Sequence, residues 1–475
     1  MSNRTHPIAH HIDRSLSRLF CKGMTSRHAP KSRFVCQLAF LLAAVFTLAA
    51  ASTAQDWIRT GTGLGVEKIR LAASDFKAST SDAKNAVMLT TFNDTLWNDL
   101  DNAGIFEMVS KSFYPLQSPG QPSDVNFSAW NSPPPKAAML AFGNLGVTAD
   151  KVAVQGWLYD LNNQASPQVL GKQYGDSATN DAVRVIAHKF ADEIIFRLGG
   201  GIPGIAESKI YFVKEMRPGV KEIWMMDYDG ANQTQITHLG AISLSPRVSP
   251  DGSRLAFSST TKNGWEIMMY SFDLNRMVAF ARFGGMNLSP SWSPDGKLAF
   301  SSSRNGYPNI FVVDGSGGNL QRLTTDKGPD VAPTWNRKTG SQIAFVSGRT
   351  GLPQIYTMEA DGTNLQRVTD QGYAVSPNWS PNGQFLTFSW TRKYGPGEPG
   401  SNDIYLMDIA SKQWVQLTHD AGRNDFPCWS PDGRHIVFQS HRTGTEQIFS
   451  MLADGSNVKQ LTTKGNNTQP NWSWK

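Results

Sequence analysis

The sequence predicts a small α/β domain followed by an all-β domain, a six-bladed β-propeller closed by pairing of its N- and C-terminal strands. A short unit recurs through the second half of the chain: an extended stretch ending in Trp, a Ser-Pro-Asp-Gly turn and an apolar strand, as in residues 290–301. Successive repeat tryptophans are 43, 44, 50 and 43 residues apart. A period of this length with several short strands per unit is typical of propellers. The repeat tryptophans are Trp292, Trp335, Trp379, Trp429 and Trp472.

Each unit contains four predicted strands, which make one blade. The Asp/Asn-Gly pair supplies the positive φ that a tight hairpin turn requires, so we interpret these pairs as turns rather than as an array of catalytic carboxylates. The first blade lacks an upstream Trp strand, and Trp472 has no strands after it, so the two ends are expected to complete one blade and cover its edges. The six second strands are Ile210–Val213, Leu255–Ser258, Leu298–Ser301, Ile343–Val346, Leu386–Ser389 and Ile436–Gln439.

The first 54 residues have the layout of a secretory signal peptide. A basic segment precedes the apolar run Leu38–Ala51, which is too short to span a bilayer comfortably, and cleavage is expected after Ala54. Met24 is a candidate for the true start. Residues 1–35 hold seven basic side chains and one acid, and the rest of the chain holds 38 of each sign, so the net charge of +6 belongs to the leader. We therefore expect an exported protein without a nucleic-acid partner.

Cysteine content agrees with a structural role for the remaining thiol. Cys21 and Cys36 lie in the predicted leader, which leaves Cys428 alone in the mature chain without an intramolecular disulfide partner. Cys428 directly precedes Trp429 in a predicted strand, so we expect it to be a small buried residue rather than a nucleophile.

Residues 55–199 are predicted to form the α/β domain. Ile69, Leu71 and Ala73 alternate as in a strand, and amphipathic helices are expected over Ser81–Leu100 and Asp181–Leu198. The glycine-rich segment 200–207 stops the second helix and is predicted to be a hinge into the propeller, residues 208–475.

The combination of export, a small α/β domain, a glycine-rich junction and these repeats resembles the TolB family. The most specific match is the run Arg184–Ile195 followed by Gly204–Val213, which is similar to the family's domain junction in order and spacing. TolB proteins are non-catalytic periplasmic components of the Tol-Pal system in Gram-negative envelopes. The resemblance implies a monomeric scaffold without cofactor or metal that supports outer-membrane integrity and envelope constriction during cell division.

The family resemblance also implies two partner sites. A peptidoglycan-associated lipoprotein of the Pal type would bind one mouth of the propeller channel, and a TolA-type inner-membrane protein would bind the mature N-terminal segment. The N-terminal segment comprises Gln55, Asp56, Trp57, Ile58 and Arg59. The mouth corresponds to the loops that enter each Trp strand: Ser243–Ser245, Asn287–Ser289, Asp330–Ala332, Tyr373–Ser376 and Asn424–Phe426, with Asp425 among them.

Enzyme and ligand-binding alternatives remain at this point. Propeller hydrolases of the prolyl-oligopeptidase type need a Gly-x-Ser-x-Gly elbow, which this sequence does not contain. A channel enzyme resembling sugar lactonases would need several inward carboxylates, for which Asp330 and Asp425 are the candidates. His188, His435 and His441 lack zinc-ligand spacing. The main alternative is an exported propeller that binds or processes a small ligand in its channel, and the insertion Lys393–Ser401 is a candidate partner loop.

Overall fold

The computed structural model describes residues 62, 64, 67–391, 402–419 and 421–474. The predicted leader at 1–54, the segment Gln55–Arg59 and the insertion Lys393–Ser401 lie outside these residues. The described part of the chain forms one six-stranded sheet with parallel and antiparallel pairs, and six four-stranded antiparallel sheets. An α/β domain followed by a six-bladed propeller is therefore confirmed.

The α/β domain is built on a mixed sheet flanked by helices. Its described strands are β1 (Ile69–Ala73), β2 (Lys77–Ala78), β3 (Phe106–Met108), β4 (Met139–Thr148), β5 (Lys151–Asp160) and β6 (Gln168–Ser177), and its helices are α1 (Asn85–Asn102), α2 (Phe127–Asn131) and α3 (Asn180–Leu198). The sheet order is β3-β1-β4-β5-β6, and β2 also pairs with β4. β1 runs parallel to β3 and β4, whereas β4, β5 and β6 are antiparallel neighbours.

Two apolar helix stripes form the core of this domain. Phe92 and Leu100 of α1 and Phe190 and Ile194 of α3 are buried in one cluster with the sheet. On the other side of the sheet, Trp130 and its neighbours from the loop between β3 and β4 are buried. β1 is consequently covered on both faces, and the simple alternation expected of a half-exposed strand is lost.

Local hydrogen bonds set the ends of the two long helices. α1 begins at Asn85 rather than at the predicted Ser81, because the Asn85 side chain donates to Thr80 O at 2.7 Å and accepts from Val147 N at 2.9 Å. The Thr179 hydroxyl caps α3 by accepting from Ala182 N. α3 ends at Leu198, where Gly200 and Gly201 adopt φ values of +73° and +80° that favour glycine.

Each propeller blade is a four-stranded antiparallel meander. In chain order the strands are β7 (Lys209–Arg217), β8 (Val220–Asp227), β9 (Thr234–Gln235), β10 (Ser243–Val248), β11 (Arg254–Thr261), β12 (Gly264–Ser271), β13 (Arg276–Val278), β14 (Asn287–Trp292), β15 (Leu298–Ser302), β16 (Asn309–Val313), β17 (Gln321–Arg322), β18 (Asp330–Trp335), β19 (Gln342–Ser347), β20 (Gln354–Glu359), β21 (Gln366–Arg367), β22 (Tyr373–Trp379), β23 (Phe385–Thr391), β24 (Asp403–Asp408), β25 (Trp414–Gln416), β26 (Asn424–Trp429), β27 (His435–Ser440), β28 (Gln447–Leu452), β29 (Lys459–Gln460) and β30 (Asn467–Trp472). Five blades take four consecutive strands each, from β10 to β29.

The sixth blade joins the two ends of the propeller. Its strand order is β30-β7-β8-β9, and Trp472 lies opposite Ile210 in the antiparallel register. The Trp472 indole N–H donates to Ser208 Oγ at 2.7 Å, and Lys209 N donates to Ser473 Oγ at 3.0 Å. The pairing makes the last described strand of the chain the innermost strand of a blade whose other three strands come from residues 209–235.

The Ser-Pro-Asp-Gly motif forms the predicted turn. In the blade of β14, Gly296 has a φ of +82°, and its N–H donates to Ser293 O at 3.1 Å. The Ser293 hydroxyl donates to Asp295 and accepts from Lys297 N at 2.8 Å. The repeated aspartate is therefore occupied by the turn itself.

The repeat tryptophans pack between blades. Trp335 of β18 is 2% exposed and contacts Ala299, Ile310 and Val312 of the preceding blade. The other four are buried in equivalent clusters, with Trp292 in the blade of β14 and Trp379, Trp429 and Trp472 in those that follow. Cys428 is buried too, as predicted.

Removal of one of the repeat tryptophans that pack between blades is expected to destabilise the propeller strongly. Trp335→Ala should lower the free energy of unfolding by about 3–5 kcal/mol, because it leaves a cavity between two blades. Guanidinium unfolding monitored by circular dichroism measures this loss. Trp414→Ala is the comparison, because that indole is 38% exposed and should cost clearly less. If Trp335→Ala lost no more stability than Trp414→Ala, the role of Trp335 in packing between blades would be contradicted.

Candidate partner-binding site

The first strand of each blade, counted from the channel, brings the predicted mouth residues into a ring. These strands are β10, β14, β18, β22, β26 and β30, and neighbouring blades contact each other along them. Each of these inner strands begins at the same end of the channel and ends at the other, because every blade repeats the same antiparallel strand order. We call the entry end, where the predicted residues lie, the mouth.

A bulge near the start of every inner strand shapes this mouth. The pairing register shifts at one place in each of the six strands. One residue of each bulge has a φ between +51° and +55°, a left-handed conformation that is uncommon for residues other than glycine. These residues are Ser245, Ser289, Ala332, Ser376, Phe426 and Gln469. Five of them are among the residues that the sequence analysis assigned to the mouth, and all six are half-buried.

The structure corrects the assignment of these segments to loops. Ser243, Asn287, Asp330 and Asn424 each begin an inner strand and are fully or almost fully buried. Their side chains hold the blade together, because Ser243 Oγ lies 3.1 Å from Ser259 Oγ and the Asn287 amide donates to Trp265 O at 3.3 Å. These four side chains therefore serve the blades rather than the surface. Tyr373, which begins β22, is half-buried.

The two carboxylates considered for a channel enzyme are both engaged in the protein. Asp330 is buried, and its two carboxylate oxygens both accept from Nη2 of Arg349, at 3.0 Å and 3.1 Å. Asp425 accepts from the hydroxyls of Ser376 at 2.8 Å and Ser389 at 2.7 Å. Asp330 is thus a structural ion pair, and Asp425 ties the blade of β26 to that of β22.

Gln469 is the mouth residue that the sequence reasoning missed. It occupies the bulge of β30, in the blade that joins the two ends of the chain. Its Oε1 accepts from Ser245 N at 2.7 Å and its own N–H donates to Gln439 Oε1 at 2.9 Å, so it links three blades. The Pro-Asn-Trp signature that follows it was the available signal.

Exposed apolar side chains surround the mouth. The loops before the inner strands and those between the second and third strands lie at this end of the propeller. They carry large apolar residues that are between 37% and 52% exposed. These residues are Met216, Leu239, Met286, Tyr307 and Leu352. Exposed apolar side chains of this size are typical of surfaces that bind other proteins. Leu274, Leu365 and Val458 are similarly exposed at the opposite end, so the ring of bulged strands is what distinguishes the mouth.

A buried polar cluster joins the α/β domain to the propeller. Asp99 of α1 lies 2.7 Å from Nδ1 of His188 on α3 and accepts from the Tyr228 hydroxyl of the propeller at 2.5 Å. Burial raises the pKa of Asp99. Burial alone would lower the pKa of His188, but its hydrogen bond to Asp99 raises it on balance. Arg184 extends the cluster to Asp229 at 3.0 Å.

A second set of contacts crosses the interface between the α/β domain and the propeller, which we call the seam. Nε2 of His435 lies 2.7 Å from the carbonyl oxygen of Asn102 at the end of α1, and Arg434 donates to Gly199 O at 3.0 Å. His188 and His435 are thus core residues of the seam, and His441 is exposed. Among the described residues, no group of three or more His, Cys, Asp or Glu side chains is arranged to hold a metal.

Asp192 fixes the junction between α3 and the propeller. Its carboxylate accepts from Ala206 N at 3.0 Å and from Glu207 N at 3.4 Å. A Cβ at Gly204 would lie 1.9 Å from Asp192 Oδ1, so only glycine fits there. Burial raises the pKa of Asp192 to about 7. The junction has a fixed resting geometry, and its action as a hinge stays a prediction.

None of the helices in the described ranges has the length and apolar character that crossing a bilayer requires.

Two family descriptions match most of the chain. The TolB beta propeller domain matches residues 197–395 and 370–475, and the TolB amino-terminal domain matches residues 62–166. A Tol-Pal system protein TolB from Ruegeria sp. (strain TM1040) is 34% identical over 197 residues, which are 41% of this chain and 43% of that protein. A protein TolB homolog from Chlorobium chlorochromatii (strain CaD3) is 32% identical over 299 residues, 62% of this chain and 64% of that protein. The chain thus aligns with less than two thirds of the length of these two relatives.

The crystal structure of TolB from Acinetobacter baumannii has a similar fold. The alignment has a TM-score of 0.72 and 24% sequence identity, and it covers 86% of this chain and 97% of that one. At this identity the likeness supports the architecture alone.

Removal of the Tyr228 hydroxyl from the polar cluster at the seam is expected to lower the stability of the protein. Tyr228→Phe should cost about 1–3 kcal/mol of unfolding free energy, because Asp99 stays buried and loses a donor. Chemical denaturation of the full mature chain measures it. Tyr270→Phe is the matched control, since its hydroxyl bonds Asn275 in a hairpin turn at the rim of a blade and should cost less. Equal losses would remove the special role of the seam.

The junction carboxylate predicts a pH-dependent stability difference. The pKa of Asp192 is raised from 3.8 to about 7 in the folded protein, so the folded state binds more protons than the unfolded state between about pH 4 and pH 7. The contribution of Asp192 to stability therefore falls as the pH rises through this window. Asp192→Asn keeps the acceptor for Ala206 N and lacks the charge. The melting temperature of Asp192→Asn minus that of the wild type should increase from pH 5 to pH 8. If this difference stayed constant, the raised pKa of Asp192 would be contradicted.

Proposed function

Because the chain belongs to the TolB family, a family of Tol-Pal system proteins, we propose that it is a non-catalytic periplasmic scaffold that joins an outer-membrane lipoprotein to an inner-membrane Tol protein. The observation that carries this proposal is the mouth: six bulged inner strands surrounded by exposed apolar side chains at one end of the propeller. Through these two contacts the protein would support outer-membrane integrity and envelope constriction during cell division.

The outer-membrane partner is a peptidoglycan-associated lipoprotein of the Pal type, bound at the mouth. The half-buried residues Ser245, Ser289, Ala332 and Ser376 give the rim small side chains, and Phe426 adds one aromatic ring. Neighbouring blades hold the backbone at Ser245 and Ser289. A rigid rim loses little conformational freedom when a partner binds. The apolar side chains around it supply the area that a stable protein complex buries.

The inner-membrane partner is a TolA-type protein, bound by the segment Gln55–Arg59. Leu64, five residues beyond this segment, is buried against propeller residues Phe385, Trp429 and Leu452. Trp57 and Ile58 give the segment two large apolar anchors, a composition suited to recognition by another protein.

A binding experiment with envelope proteins tests both contacts. The mature chain from Gln55 is immobilised and incubated with detergent-solubilised Gram-negative envelope, and captured proteins are identified by mass spectrometry. Recovery of a Pal-type lipoprotein and a TolA-type protein supports the scaffold. Replacement of Trp57 and Ile58 by Ser should abolish TolA-type capture and leave Pal-type capture unchanged. Capture of neither class would contradict the proposal and favour the alternative, a propeller that binds a small ligand in its channel.

A matched pair of substitutions in one blade tests the mouth. Leu352, on the mouth side of the blade of β18, is 45% exposed, and Leu365, on the opposite side of the same blade, is 43% exposed. Leu352→Arg should weaken binding of the purified Pal-type lipoprotein by about tenfold, since a charge replaces an apolar contact. Leu365→Arg should leave it unchanged. Calorimetric titration measures both, and equal effects would place the lipoprotein elsewhere.

A further inference from the structure

The end of the channel opposite the mouth contains two arginines that the proposed scaffold function does not use. In each inner strand, one residue lies between the proline and the residue that packs between blades, and these six residues ring the channel. Five of them are neutral: Ser291, Thr334, Asn378, Cys428 and Asn471. The sixth is Arg247 of β10, and Arg337 reaches the same cavity from the turn after β18.

Both arginines replace a residue of the repeat. Arg337 stands where four other blades have proline, because Asn-Arg-Lys after Trp335 takes the place of Ser-Pro-Asp/Asn. Arg247 stands where the other inner strands carry a small or amide side chain. Two independent departures from the repeat, more than 80 residues apart in the chain, thus meet at one cavity.

No carboxylate compensates these charges within the described residues. The Arg247 guanidinium donates to Pro246 O at 2.8 Å, and that of Arg337 lies 4.1 Å from the centre of the Trp474 ring. Neither forms an ion pair with a described acidic residue, whereas Arg349 pairs with buried Asp330 and Arg184 with Asp229. The residues that line the cavity include no Asp or Glu.

The surroundings make these charges costly unless an anion is present. Burial lowers the pKa of Arg247. Burial, together with the charge of Arg247, lowers the pKa of Arg337 to about 10, which still leaves the group charged at neutral pH. Arg247 and Arg337 are half-buried and share one cavity, so their like charges repel each other and destabilise the fold until a counter-charge binds.

Unused hydrogen-bond donors face the same space. The hydroxyls of Ser291 and Thr334 line the cavity and make no hydrogen bond to other described residues. Asn378 uses its Oδ1 to accept from Trp429 N at 3.0 Å, which leaves its amide N–H groups for a ligand. The cavity has a volume of about 30 Å³, which is more than one water molecule needs and suits a small ion.

We propose that this end of the channel binds a small oxyanion, of the size of phosphate or sulfate, between Arg247 and Arg337. Guanidinium groups match the oxygens of such an ion, and the neutral donors of Ser291, Thr334 and Asn378 complete its coordination. The site is separate from the mouth, because the inner strands run from the mouth to this end. Trp474, which also lines the groove of about 790 Å³ beside Asp192 and Pro431, closes the cavity on the side of the α/β domain.

Calorimetry and thermal unfolding of the full mature chain test this site with phosphate as the probe. Millimolar phosphate should bind with one ion per chain and raise the melting temperature, and chloride at equal ionic strength should not. Acetate, a planar carboxylate, distinguishes a preference for tetrahedral oxyanions from a general carboxylate site. If phosphate stabilises the protein no more than chloride does, the proposal is wrong.

Substitution of the arginines separates a binding role from a purely structural one. Arg247→Gln and Arg337→Gln should weaken phosphate binding by about tenfold or more. In phosphate-free buffer the same variants should melt at the wild-type temperature or above it, since each removes an uncompensated charge. Exposed Arg304→Gln is the control and should change neither property. Lower stability in both buffers with unchanged phosphate affinity would overturn the site.

Discussion

The pairing of β30 with β7 is the contact on which the other features depend. It joins segments more than 250 residues apart in the chain and turns a row of blades into a ring, in which each blade packs against two neighbours. The same pairing brings Trp472 to Ser208 at the start of the propeller, Gln469 to the mouth and Trp474 to the other end of the channel. Without it, the sheet edges would be open and neither end of the channel would be complete. A long-range pairing of this kind is costly in chain entropy, which the burial of an entire row of inter-blade side chains offsets.

The bulge in each inner strand separates residues that stabilise the blade from residues that form the mouth. Residues before it, such as Asp330 and Asn424, point into the blade and are consumed by hydrogen bonds and ion pairs. The bulge residues themselves turn toward the mouth in a strained backbone conformation that neighbouring blades hold in place. The mouth is therefore made of rigid backbone and mostly small side chains, and exposed apolar side chains are supplied by loops farther from the channel axis.

The α/β domain is attached to the propeller through buried polar groups, in addition to apolar packing. Asp99, His188 and Tyr228 belong to three different elements, and each depends on the others for a partner in a buried environment. Polar contacts of this kind specify one arrangement more sharply than apolar contacts do, because a shifted arrangement leaves a buried group without a partner. The glycine-rich junction alone suggested freedom of movement, but Asp192 and the seam cluster hold it in one resting position. Any change of orientation during partner binding would have to break these contacts together.

The sequence by itself determined the fold class, the number of blades, the ring closure and the two long helices, because these follow from local periodicity and from turn residues such as Asp295-Gly296. It also assigned five of the six bulge residues to the mouth, since each lies directly before the proline of an inner strand, but it placed them in loops. It could not separate Ser245, which faces the mouth, from Ser243, which is buried two residues earlier, because the bulge that reverses the expected alternation depends on pairing with β11. Only the tertiary structure decided that Asp330 is neutralised by Arg349, that His188 binds Asp99, and that Arg247 and Arg337 share a cavity without a carboxylate. These are contacts between residues far apart in the chain, and no local sequence pattern encodes which side chains ring closure brings together.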